Sequence, residues 1–117
     1  MDILIDYHIY VYVFAGSVSQ PEISSNGPTD GGVSLTCGSG CWYPQPEMSW
    51  LDGDGNNITA GPSVKDRPSQ HCYIVQRNVT VRTAGHVTCR VHLPLFNHTV
   101  ETQRYITGNS LYHCLTP

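Results

Sequence analysis

Apolar and polar residues alternate along this chain in short runs separated by turn-forming clusters, the pattern of half-buried strands rather than of helices. In Val33-Ser34-Leu35-Thr36-Cys37, the residues Val33, Leu35 and Cys37 share one parity, so an extended strand turns all three to one face. A Gly/Ser corner is expected next, then Cys41-Trp42-Tyr43-Pro44-Gln45-Pro46, then a second strand with Met48 and Trp50 inward. Tyr73, Val75, Val79 and Val81 form another inward row, which Arg77 interrupts. Val87, Cys89 and Val91 point inward on a further strand, leaving His86, Thr88, Arg90 and His92 outward. Weaker patterns predict a short first strand at Glu22-Ile23-Ser24, a short edge strand around Ser63-Val64-Lys65, and a last strand from Asn97 to Ile106. That last register places Arg104 on an inward position. Residues 26–32 and 52–57, dense in Gly, Asp, Asn and Pro, read as turns.

Two inward cysteines on separate strands, with a tryptophan between them in sequence, describe two sheets stapled across a core and packed on an indole. This is the immunoglobulin arrangement, an all-β sandwich. Cys37 and Cys89 stand 52 positions apart. Closing a loop of that length removes unfolded-state entropy equivalent to roughly 4 kcal/mol. Burying Trp50 covers about 150–250 Å², on the order of 4–6 kcal/mol as an upper bound. Either contribution rivals the net stability of a small domain. Replacing Trp50 or either cysteine should therefore threaten folding, whereas the corner between Cys37 and Trp50 is expected to tolerate change.

A chain of 117 residues has room for one domain. Five cysteines, 13% charged residues and a net charge of -3 favour an oxidising, extracytoplasmic setting. Three glycan-acceptor triplets agree, at Asn57-Ile58-Thr59, Asn78-Val79-Thr80 and Asn97-His98-Thr99. Six Lys and Arg against nine Asp and Glu supply no basic stripe, so nucleic acid is not an expected partner. No apolar run approaches the ~20 residues of a membrane helix, so any membrane attachment is expected through segments outside this chain.

The domain is expected over residues 20–107. Residues 1–19 have two readings, a secretory leader or a remnant strand of a preceding variable-type domain with its linker. The second is preferred, because Asp6 and His8 interrupt the apolar run and no basic residue precedes it. Residues 108–117 show no pattern and are expected to be an unstructured tail, in which Cys114 has no evident partner.

Three kinds of site chemistry have partial signatures in the sequence, and each lacks a required residue or spacing. Asp52, Asp54 and Asn56 imitate the opening of a calcium loop, but the sixth position is Asn57 where a Gly is needed and the twelfth is Ser63 where a Glu is needed. Cys37-x3-Cys41 and His71-Cys72 carry zinc-type ligands, yet Cys37 is claimed by Cys89, and His86 and His92 lie about 20 Å apart along a strand. No nucleophile elbow is present, and His113 beside Cys114 is only a sequence neighbour. No catalytic, cofactor-binding or metal residue is therefore expected, and no small-molecule substrate.

At Cys41-Trp42-Tyr43-Pro44-Gln45-Pro46-Glu47-Met48-Ser49-Trp50-Leu51-Asp52 the sequence resembles the second, constant-type immunoglobulin domain of butyrophilins and the related myelin-oligodendrocyte-glycoprotein-like proteins. The resemblance runs through Asp54-Gly55-Asn56, Ala60-Gly61-Pro62, Val79-Thr80-Val81, Thr88-Cys89-Arg90-Val91-His92 and Glu101-Thr102-Gln103. It implies a constant-type sandwich of about seven strands. It also implies a surface glycoprotein on the extracellular side of the plasma membrane. The intact relatives meet a protein receptor on lymphocytes and co-stimulate or restrain T cells, with this domain a membrane-proximal spacer. The runner-up is a constant domain of antibody or histocompatibility type, or a generic adhesion module. Cys41 and Cys72 depart from the family pattern. The implied topology makes their strands antiparallel neighbours, so a second disulfide between them is expected. A further departure is Val87, which occupies the place of a corner tyrosine.

Overall fold

The computed structural model describes residues 20–107, in which seven strands occur: β1 (Glu22–Thr29), β2 (Gly32–Trp42), β3 (Glu47–Leu51), β4 (Val64–Ser69), β5 (Cys72–Val81), β6 (Gly85–Leu93) and β7 (His98–Ile106). They form a four-stranded sheet in the order β1-β2-β5-β4 and a three-stranded sheet in the order β3-β6-β7, with every neighbouring pair antiparallel. Four strands facing three in this order is the constant-type immunoglobulin sandwich. The core lies between the inner faces. Val33, Leu35 and Cys37 of β2 and Val75, Val79 and Val81 of β5 meet Met48 and Trp50 of β3 and Val87, Cys89, Val91 and Leu93 of β6. Alternation puts these residues on one side of each strand, and burial of that side is what sets the register.

The Gly/Ser corner expected after Cys37 is not a corner. β2 continues through it to Trp42, and the break comes as a bulge: Ser39 pairs with Val75 and Trp42 with Tyr73, three steps on β2 against two on β5. The extra residue reverses the parity, so Trp42 rather than Cys41 enters the core and is fully buried. Its indole Nε1 donates to Ser39 Oγ at 2.8 Å. Nor is the stretch free to change, because a Cβ on Gly40 would lie 2.8 Å from Ile74 Cγ1 and 3.2 Å from Ile74 Cα.

β1 is also longer than expected. Much of the 26–32 segment read as turn is strand, folded back on β2 through Asp30 and Gly31, and the irregularity between Ser25 and Gly27 absorbs one residue where Gly27 adopts φ +97°. Pro28 is tolerated there because β1 lies at the sheet's edge. β4 is likewise longer, six residues that are all exposed, with Pro68 on the opposite edge. At the far end of β7, Arg104 keeps the inward parity shared with Thr102 and Ile106 but is exposed, while Ile106 is buried. Thr102 Oγ1 donates to Pro21 O at 2.6 Å and ties the start of the domain to β7.

Candidate functional site

Four cysteines of the described residues form two disulfides. Cys37 and Cys89 are joined across the sheets with their Cα atoms 6.4 Å apart, both wholly buried beside Trp50. Cys41 and Cys72 are joined within the four-stranded sheet, Cα atoms 4.7 Å apart, linking the β2 bulge to the first residue of β5. Both cysteines of this second pair are only partly buried.

Trp50 and Arg77 organise the open side of the sandwich. The indole Nε1 donates to Arg77 O at 3.0 Å, and the Arg77 guanidinium donates to Met48 O at 2.8 Å and Gly61 O at 2.7 Å. β3 is an edge strand, so its outward carbonyls need donors. Arg77 supplies one for Met48, and Ile58 N supplies one for Trp50 at 2.8 Å. The interruption of the inward row at Arg77 is thus a brace between sheets. Its partners lie 16 and 29 positions away, and no local pattern announces them.

The outward row of β6 meets β7 residue by residue. The His86 ring stands edge-on to Tyr105 with centroids 4.9 Å apart, Arg90 Nε contacts Glu101 Oε2 at 2.5 Å, and His92 Nδ1 lies 2.9 Å from Thr99 Oγ1. Cross-strand pairs of this kind stabilise a sheet, and a surface ion pair adds about 0–1 kcal/mol. Thr88 in the same row is nearly buried. The face is largely polar, with Tyr105 as its exposed large hydrophobic side chain.

Asn57, Asn78 and Asn97 are all exposed. Asn57 bridges to Leu51, and Asn97 stands in the left-handed region at φ 49° between β6 and β7. Asn78 lies on the outer face of the four-stranded sheet, where its Oδ1 accepts from Thr36 Oγ1 at 2.9 Å. The calcium-like run is a self-contained turn, because Asp52 Oδ1 accepts from the backbone N–H of both Asp54 and Asn56 at 2.9 Å. Among the described residues no group of three or more His, Cys, Asp or Glu is placed to hold a metal ion. No helix among them is long and apolar enough to cross a membrane. Cys114 and the readings of residues 1–19 and 108–117 lie outside the described residues.

Residues 18–101 match the sequence family described as "Butyrophilin subfamily 3 member A2-like, Ig-C domain". The chain belongs to this butyrophilin Ig-C family. Mouse (Mus musculus) butyrophilin-like protein 2 is 33% identical over 79 residues, covering 66% of this chain and 17% of the relative. Human (Homo sapiens) butyrophilin subfamily 2 member A2 is 32% identical over 103 residues, covering 86% of this chain and 20% of the relative. The chain therefore spans about a fifth or less of the length of these butyrophilin relatives. A crystal structure of bovine butyrophilin superposes with a TM-score of 0.71 at 24% identity over 78% of this chain and 44% of that one, a likeness of fold.

Proposed function

We propose that this butyrophilin Ig-C domain is a spacer module of an extracellular, immune-regulatory surface glycoprotein, whose parent protein engages a receptor on lymphocytes and co-regulates T cells. Family membership over residues 18–101 is the observation that carries the reading. Two disulfides suit an oxidising compartment, and three exposed acceptor asparagines suit passage through the secretory route. The polar row of β6 is spent on pairs with β7, which favours a solvated wall over a recognition surface. No catalytic role is proposed for any residue.

The test uses the chain secreted from mammalian cells, multimerised and applied to lymphocytes. The spacer reading expects the chain to emerge glycosylated and to leave the cells unstained. Saturable staining that is abolished by alanine at His86, Arg90 and His92 would overturn it and move receptor contact onto this domain.

A further inference from the structure

The two disulfides sit in opposed environments. Cys37 and Cys89 are wholly buried in the core, where no external thiolate reaches them without unfolding. Cys41 and Cys72 are partly exposed at the end of the four-stranded sheet, beside the turn that joins β4 to β5. We propose that Cys41–Cys72 is an exchangeable disulfide, opened by an external dithiol while Cys37–Cys89 stays closed, and that opening it loosens Tyr43 and Pro44 from β5.

Partial exposure of Cys41 and Cys72 leaves this bond open to attack by an external thiolate. One thiolate of the dithiol attacks a protein sulfur, forming a mixed disulfide and expelling the other cysteine as a thiolate. The second thiol of the reagent then displaces the first cysteine. Two electrons pass to the protein, the reagent ends as its own disulfide, and both cysteines take up protons.

Opening can remain local because the corner has a second anchor. Trp42 is fully buried and bonded to Ser39, so the core contact survives when the covalent tie is lost. Beyond Trp42, the corner also meets β5 through the stack of Tyr43 on Tyr73, ring centres 6.3 Å apart. Tyr43 also meets His71 edge-on at 4.9 Å. The bond therefore governs the mobility of Tyr43 and Pro44 without governing the fold.

The experiment uses the full chain. Free thiols are first blocked, graded concentrations of dithiothreitol are applied under native conditions, and newly exposed thiols are labelled with an isotopically distinct alkylating reagent for peptide mapping. Cys41 and Cys72 are expected to label together at least about tenfold faster than Cys37 and Cys89. Amide hydrogen exchange should then rise only near residues 41–45 and 70–74. All four cysteines labelling together would overturn the proposal, as would labelling of Cys41 and Cys72 in the first block, or a rise in exchange spread over both sheets.

Discussion

Trp50 and Arg77 hold each other across the sandwich: the indole donates to the arginine's carbonyl at 3.0 Å, and the guanidinium returns a bond to Met48 O, two residues before the tryptophan, at 2.8 Å. This reciprocal pair stands beside the buried disulfide and closes the edge of β3. Arg77→Ala removes a charged donor from two partly buried carbonyls and should cost about 2–3 kcal/mol. Arg77→Lys should recover little of that, because a single ammonium lacks the planar fork that serves Met48 and Gly61 together. Urea unfolding at unchanged slope measures both losses, and a lysine variant as stable as the parent would remove the fork from the explanation.

The bulge in β2 makes a sharper distinction between two neighbouring glycines. A Cβ on Gly40 meets Ile74 Cγ1 at 2.8 Å and its Cα at 3.2 Å, whereas on Gly38 the first atom met is Gln76 Cγ at 3.5 Å, on a flexible exposed side chain. Gly40→Ala should therefore lower stability by about 1–3 kcal/mol through overpacking, with Gly38→Ala within about 0.5 kcal/mol of the parent. Equal effects at the two positions, read from thermal or urea midpoints, would contradict the geometry.

Ser39 carries a prediction of the opposite kind, in which a small hydroxyl matters because of what it accepts. Ser39→Ala leaves the indole N–H of the fully buried Trp42 without its partner at 2.8 Å, an expected cost of about 1–3 kcal/mol. Trp42→Phe in the serine-free background removes the unpaired donor, so the second change should cost less there than in the parent chain. A double-mutant cycle supplies the comparison, and strict additivity would show the bond to be inconsequential.

Much of this fold was legible in the residues because parity survives wherever strands are regular. Val33, Leu35 and Cys37, then Val87, Cys89 and Val91, lie on the inner faces that simple alternation assigns. Parity fails at the bulge, so simple alternation does not assign Trp42 to the core, and Cys41 keeps to the rim. β1 was hidden for a related reason: Asn26, Gly27 and Pro28 have poor strand propensity, and only pairing with β2 holds them extended. Arg77 reads locally as a defect, since its role depends on carbonyls brought near by the fold. Acceptor triplets are visible as text, but their exposure and hydrogen bonds belong to the folded chain.

Stability should decline as the solution becomes mildly acidic, in part through His98. Its burial holds the imidazole pKa below the ordinary 6.5, favouring the neutral ring in the folded state, where it stands 6.3 Å from the Trp42 ring. The unfolded chain binds a proton first as pH falls through 6.5, so this contribution is complete above that pH and diminishes below it, until the folded state's lower pKa is passed. His98→Gln should flatten that part of the stability profile between about pH 7 and 5. Unfolding midpoints across the range measure it, and a slope unchanged by the substitution would assign the acid sensitivity elsewhere.

Asn78 offers a way to separate glycan from hydrogen bond at one residue. A glycan would attach at Nδ2, leaving Oδ1 free to keep the 2.9 Å bond from Thr36, so occupancy and the native contact are compatible. Thr80→Ala destroys the acceptor triplet while preserving Asn78, whereas Asn78→Gln removes the triplet and displaces the acceptor oxygen by a methylene. In secreted protein both variants should lose one glycan by mass. After enzymatic deglycosylation, Asn78→Gln should also be less stable than Thr36-bonded parent by about 0.5–1.5 kcal/mol, since the lost bond is independent of sugar. An unchanged mass in Thr80→Ala would remove Asn78 from the acceptor sites, and equal stability of Asn78→Gln and parent would show that the Thr36 bond holds nothing.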